Sequence, residues 1–480
     1  MKTITLIFAF AAASALAQDS QESDKAAKKY ALGHKMYNSS EIVARALDAT
    51  KAAAPKAALD ASRPVFHFRP TAQWMNDVCG AFFYKGWHHV FFQFNPWADV
   101  WGKGVGWGHA RSRDLVHWEI LPPALLPASD NGCVMDASGS AAFDDKGRPV
   151  LFFAKTPDKG PREQWAALPE DDDLVRWRRV DIGLAPGKSG VPSDINPRWA
   201  DMFVFTAGAR TFATFKSSNG LICEAETPDL LKWKAAGKIN GSGGECPNMF
   251  PLQNRHVLIL STLPISYRVG DFDPKKIELN CKEKDGRVLD YSVQRNQKGE
   301  YGARGLYGTT VFTDSKGRSI LLSWISGFKP RMAWNGCMSL PRILTLEGDD
   351  VIQTPPPELA ELRGKKGAFN RETKSVEGIR GGNCEIIAEF KPGIAGTYGL
   401  KLGSIQIVCS GDKLDVAGTE VPGVRATKLH VFFDRSVLEV FVNDGRRTVT
   451  KVVYPEAGNL TVETLGDVQS LEAWELKSIW

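Results

Sequence analysis

None of the eight cysteines (Cys79, Cys133, Cys223, Cys246, Cys281, Cys337, Cys384, Cys409) forms a C-x-x-C pair with another. That scatter argues against a structural zinc site, and eight thiols allow 105 pairings, so no disulfide pattern is assigned. Runs of five or more basic residues are also missing, and the net charge of +5 is spread along the chain. Neither nucleic acid nor a membrane surface is therefore an expected partner. The apolar stretch at residues 4–13 is too short and alanine-rich to span a bilayer. His88-His89 is the one adjacent histidine pair and lies among aromatic residues in a strand pattern, where packing accounts for it better than metal ligation. The glycine-rich segment 102–108 lacks the Gly-Lys-Ser/Thr ending of a phosphate loop, so close packing explains it better. No metal and no cofactor is expected.

What is present suffices for one large core or two medium ones: 480 residues, 43% apolar and 10% aromatic. Lys2, the apolar run and Ala15-Leu16-Ala17 together read as a secretory signal over residues 1–17, cut near Ala17. A secreted or periplasmic protein is expected. Residues 18–61 are rich in Ala, Lys and Asp and read as a helical or disordered lead-in, with a helix-compatible stretch from Ser40 broken by Pro55.

From residue 62 the pattern turns to β. Phe82-Phe83-Tyr84, a Lys85-Gly86 turn and His89-Val90-Phe91-Phe92-Gln93-Phe94 form a hairpin of aromatic strands. Asp114-Leu115-Val116-His117-Trp118 recurs as Asp173-Leu174-Val175-Arg176-Trp177 and as Asp229-Leu230-Leu231-Lys232-Trp233, 59 and then 56 residues on. Lys146-Gly147-Arg148 and Lys316-Gly317-Arg318 share a second turn signature. Units of this length suggest four-stranded blades, and residues 62–350 hold about five of them. Residues 351–364, with Pro355-Pro356-Pro357, read as a linker carrying a short helix. Clean alternation and an Asn443-Asp444-Gly445 turn make residues 365–480 an antiparallel β-sandwich. The fold class is all-β: a five-bladed propeller followed by a sandwich.

The chemistry is carried by acids. Asp77 follows Trp74-Met75-Asn76, Glu245 follows Gly243-Gly244, and Asp201 interrupts the apolar run Trp199-Ala200-Asp201-Met202-Phe203. A buried carboxylate needs hydrogen-bond partners, and sugar hydroxyls suit. Glycosidic bond cleavage uses two carboxylates, one attacking the sugar and one protonating the leaving oxygen. Apolar neighbours that raise the second group's pKa favour that role, and a propeller brings blade-start residues to one central hollow.

These motifs resemble glycoside hydrolase family 32, the β-fructofuranosidases (invertases, inulinases, levanases). Trp74-Met75-Asn76-Asp77 resembles the nucleophile motif and Glu245-Cys246-Pro247 the acid/base motif. Phe92-Gln93-Phe94-Asn95-Pro96, Trp101-Gly102, Ser138-Gly139-Ser140 and Ser339-Leu340-Pro341-Arg342 follow in family order, and Asp434-Arg435-Ser436-Val437-Leu438-Glu439 resembles the sandwich signature. The resemblance implies Asp77 as nucleophile, Glu245 as acid and then base, and Asp201 as holder of fructose hydroxyls. It places Trp74, Asn76, Gln93, Trp101 and Ser138 around the same sucrose or fructan substrate. Three strings depart from the family: Val78-Cys79-Gly80 after Asp77, Ala200-Asp201-Met202 in place of Arg-Asp-Pro, and Asn248 where an acid is common. Arg198 is the nearest replacement for the missing arginine. Two other readings remain open on the residues: a carbohydrate-binding protein weakened in turnover, and an inverting arabinan- or xylan-active glycosidase.

Overall fold

The computed structural model describes residues 25, 40–127, 132–239, 241, 243–283, 285–292, 305–379, 382–455 and 460–480. The signal segment expected at residues 1–17 lies outside the described residues.

Five sheets make up the chain as far as residue 354, each mainly a meander of antiparallel strands. Their first strands are Gln73–Tyr84, Cys133–Phe143, Ala200–Ala207, Glu245–Leu252 and Leu306–Thr313. Each first strand packs beside the first strand of the next sheet, and the fifth returns to the first, which closes a ring. The short strand Trp334–Asn335, from the connection between the second and third long strands of the fifth sheet, pairs in parallel with the start of Gln73–Tyr84. Gln73 N–H also donates to the Ala333 carbonyl at 2.7 Å.

The Asp-Leu-x-x-Trp repeat has a local cause. Leu115, Leu174 and Leu230 all adopt positive φ (68°, 59° and 59°), a left-handed turn that an L-residue holds only when packing repays it. All three leucines are buried, and Trp118, Trp177 and Trp233 begin the outermost strand of the first three sheets. Trp177 and Trp233 each donate their indole N–H to the carbonyl of the turn leucine at 2.7 Å. The Lys-Gly-Arg turns are equally local: Asp144 and Asp314 each accept two backbone N–H bonds and the following arginine's Nε. Glycine is required in the segment 106–108 because a Cβ on Gly108 would strike the Phe92 ring.

The lead-in forms a helix over Ser40–Ala58 and continues through Pro55, which was expected to break it. Pro55 and Lys51 are exposed, so the carbonyl freed one turn back faces water. Packing decides the outcome, since Ile42 and Ala46 sit against Trp97 and Leu126 while Ala57 joins Phe250 and Val257.

Beyond the 3₁₀ turn Pro357–Leu362, a six-stranded and a seven-stranded sheet enclose a shared core of Ile386, Leu400, Ile407, Val431, Val440 and neighbours. Asn443 and Asp444 take positive φ in the hairpin between Val437–Val442 and Arg447–Val452. A fully buried polar network joins this unit to the ring. Arg342 donates to Asp290 at 3.0 Å, Gln353 at 2.8 Å, Glu439 at 2.6 Å and Thr450 at 2.6 Å. His67 lies between Asp434 at 2.9 Å and Glu439 at 3.0 Å, and Asp434 also accepts the N–H groups of Val65, Phe66 and His67. All eight cysteines are free thiols. Among the described residues no helix is long and apolar enough to cross a membrane.

Candidate active site

A cavity of about 510 Å³ opens where the five first strands converge. Each strand contributes near its N-terminal end: Asp77, Ser138, Asp201, Glu245 and Tyr307. Strand register slips at each of these places. The shifts fall between Met75 and Val78, Ala137 and Gly139, Glu245 and Asn248, and Tyr307 and Thr310, and opposite Asp201 between Thr214 and Lys216. A bulge turns a side chain out of the regular alternation, and here five of them turn polar groups into one hollow.

All eight residues singled out in the sequence line this cavity: Trp74, Asn76, Asp77, Gln93, Trp101, Ser138, Asp201 and Glu245. Trp74 donates its indole N–H to Asn76 Oδ1 at 2.7 Å, and Asn76 Nδ2 donates to Gln93 Oε1 at 2.5 Å. That chain fixes the edge beside Asp77. Trp74 and Trp324 stand edge-on with ring centroids 5.7 Å apart, while Trp101 is half-exposed at the rim.

Ser138 Oγ donates to Asp77 Oδ2 at 2.6 Å. Asp201 is buried and held at φ 55°, and its Oδ2 accepts the Cys246 N–H at 3.0 Å. The Cys246 thiol lies 3.7 Å from both Asp77 Oδ2 and Asp201 Oδ2, so one sulfur separates two carboxylates. Burial and the nearby Asp201 charge raise the Asp77 carboxyl above its usual range, against the hydrogen bonds from Ser138 and Asn76. Burial pushes the Cys246 thiol well up as well, so it stays protonated beside the two acids.

Glu245 has a different environment. Burial alone would raise its pKa, but Lys216, Tyr307 and Arg162 outweigh burial and hold it below the usual range. Lys216 Nζ lies 2.5 Å from Oε1, and the Tyr307 hydroxyl donates to Oε2 at 2.6 Å. The raised acid expected from apolar neighbours is therefore not found at Glu245, because an ammonium sits against it.

Models of two protein families match the chain: the glycosyl hydrolases family 32 N-terminal domain over residues 67–355 and the family 32 C-terminal domain over residues 410–475. The chain belongs to glycosyl hydrolases family 32. It is 28% identical to a levanase of Bacillus subtilis over 87% of this chain and 71% of that protein. It is also 28% identical to a sucrose-6-phosphate hydrolase of Zymomonas mobilis, over 90% and 96%. Among solved structures, a family 32 β-fructofuranosidase of Bombyx mori in complex with sucrose matches with a TM-score of 0.75 at 24% identity, over 91% of this chain and 99% of that one. That likeness is one of fold.

Within this family 32 chain, the replacement arginine is not the one expected. Arg198 is exposed and absent from the cavity wall, whereas Arg162 lines it. Arg162 is anchored by its Nη1 donating to the Arg198 carbonyl at 3.1 Å and by its own carbonyl accepting the Trp199 indole N–H at 2.9 Å. Thirty-six residues separate Arg162 from Arg198 in the chain, so proximity in sequence pointed to the wrong guanidinium. Arg162 comes from the neighbouring unit, directly ahead of strand Glu163–Pro169. Lys216 and Tyr307 were also missed. Lys216 closes the apolar run Thr211-Phe212-Ala213-Thr214-Phe215 and Tyr307 sits near Gly305 and Gly308. The rule that singled out Asp201, a polar residue inside an apolar strand, would have found Lys216.

Proposed function

We propose that this chain is an exported β-fructofuranosidase cleaving sucrose or fructans by a retaining double displacement. The observation that carries the reading is the convergence of Asp77, Asp201 and Glu245 on one cavity, whose size of about 510 Å³ suits a small ligand. The named activities of the levanase and the sucrose-6-phosphate hydrolase support the substrate class. We read the ring as a five-bladed propeller over residues 62–350, followed by a linker over 351–364 and a sandwich over 365–480; its five closed sheets support that count. Export rests on the charged, apolar and small-residue pattern of residues 1–17.

In the first step the Asp77 carboxylate bonds to the anomeric carbon of fructose as the glycosidic bond breaks. Glu245 gives its proton to the leaving oxygen. Water then attacks the same carbon, returns a proton to Glu245 and frees Asp77. Asp201 accepts fructose hydroxyls, and Arg162 donates from the same cavity wall. The tryptophans supply apolar faces to the sugar ring.

A second reading, sugar binding with little turnover, is favoured by Ala200 and by the pairing of Glu245 with the Lys216 ammonium. Incubation with sucrose, inulin, levan and an arabinan separates them. Fructose release that vanishes in Asp77→Ala and Glu245→Ala supports hydrolysis. Saturable binding without product supports the second reading, and arabinose release overturns both.

A further inference from the structure

Lys216 is the one cation in direct contact with Glu245 among the described residues, and no part of the two-acid mechanism requires it. The register shift that accommodates Asp201 also places Lys216 at the cavity wall, at the end of strand Arg210–Lys216. Both carboxylate oxygens of Glu245 are engaged, Oε1 by the Lys216 ammonium and Oε2 by the Tyr307 hydroxyl. The two partners are not equivalent. An ammonium donates only, so a proton on Oε1 would face a group unable to accept it. A phenol hydroxyl donates or accepts, and can turn to receive a proton carried by Oε2. The other charged and titratable groups near Glu245 are Arg162, whose charge acts on it, Asp201 and Asp77 on the same cavity wall, and the Cys246 thiol on its own strand.

We propose that Lys216 is a positioning residue for Glu245: it pins Oε1, leaves Oε2 on the Tyr307 side to carry the transferred proton, and sets the upper pH limit of turnover. The proposal rests on the glycosidase reading above. When Oε2 passes its proton to the leaving oxygen, Glu245 becomes an anion, and Lys216 is already in place to stabilise it. Lys216 therefore strengthens the acid while narrowing the pH range in which that acid stays protonated. Removing a cation from within 4 Å of a carboxylate raises its pKa by about 1–3 units, so the two effects separate in kinetics.

The test compares Lys216→Met and Lys216→Arg with the unaltered enzyme. In Lys216→Met the alkaline limb of kcat/KM should move up by about one pH unit or more, with a lower kcat at the optimum. Lys216→Arg keeps the charge and should return the limb towards its original place. A purely structural lysine would change the amplitude and leave the limb where it was, and that result overturns the proposal. Carboxyl titration of 13C-glutamate-labelled protein by NMR, with Glu245→Gln to assign the signal, reads the same pairing without any substrate. If the Glu245 signal titrates alike in the unaltered protein and in Lys216→Met, the proposal fails even when fructose is released. If the signal shifts up but no fructan or sucrose is cleaved, the hydrolase reading fails and the Lys216–Glu245 pairing stands.

Discussion

Arg342 and Glu439 lie 97 residues apart in the chain and meet at 2.6 Å, both side chains wholly shielded from solvent. Arg342 begins strand Arg342–Glu347 of the fifth sheet and Glu439 lies in strand Val437–Val442 of the six-stranded sheet, so the ion pair fastens the two units together. Asp290, Gln353 and Thr448 accept from Nη1 and Thr450 from Nη2, beside Glu439. Removing one partner leaves an uncompensated buried charge, which costs about 3–5 kcal/mol. Arg342→Met should therefore lower the urea midpoint by an amount matching that loss. An unchanged midpoint would show that the network contributes nothing to cohesion.

His67 adds a pH dependence to the same interface. Burial alone would depress its pKa, but the Asp434 and Glu439 carboxylates lift it to about 9. Folding thus favours the imidazolium. Its contribution is complete below the unfolded value of about 6.5 and is lost as pH rises through 9, a change of about 3 kcal/mol. Urea unfolding at pH 6, 7.5 and 9 should show this loss in the unaltered protein and a flatter profile in His67→Gln. A constant difference between the two proteins across that range contradicts the assignment.

Asp77 is held above its usual pKa beside Asp201, an arrangement that opposes folding at neutral pH. Asp77→Asn should abolish fructose release by about a thousandfold or more while leaving the melting temperature unchanged or higher. A large drop in melting temperature would mark Asp77 as a structural carboxylate.

Gly308 sits at φ 55°, and a Cβ there would lie 2.7 Å from the Asp77 Cα and closer still to its carboxylate. Gly308→Ala should lower kcat/KM at least tenfold by displacing Asp77, the nucleophile of the proposed mechanism. Gly317→Ala is the control: its φ is 73° with open space around it, so it should cost only about 1 kcal/mol of stability. Equal activity in the two variants removes any special place for Gly308.

Arg162→Met should weaken kcat/KM by about 10–100-fold, the value of one charge-assisted hydrogen bond to a sugar oxygen. Arg198→Ala should change it little, because only its backbone carbonyl takes part. The reverse ranking would restore Arg198 to the site.

Much of this arrangement was legible in the order of residues, for reasons particular to each. Asp77, Asp201 and Glu245 stand out because an acid within or at the edge of an apolar strand demands partners. The Asp-Leu-x-x-Trp repeat was readable because its turn is local, closed by a leucine in a left-handed conformation and a tryptophan three residues on. Lys216, at the edge of an apolar strand, was open to the same rule and was passed over, whereas Arg162 was not readable in this way, since its place depends on neighbouring sheets meeting at the centre. The helix through Pro55 was misjudged for a related reason. Propensity predicted a break, but Ala57 belongs to a buried core that includes Phe250 and Val257, about 190 residues or more further along the chain. Likewise the Ser-Leu-Pro-Arg and Asp-Arg-Ser-Val-Leu-Glu strings were visible as motifs, while their meeting at a shared charge network was not.

The parallel pairing of Trp334–Asn335 with Gln73 and Trp74 has a mechanical consequence. It is a clasp that hooks the fifth sheet's connecting segment onto the first strand of the ring, and Asn76 and Asp77 sit within a few residues of the hook. Any loosening that lets the circle spring apart pulls first on the strand bearing the attacking group. Enzymatic output should then fade before bulk spectroscopic signals do under mild denaturant, making turnover the most sensitive gauge of whether the circle is shut.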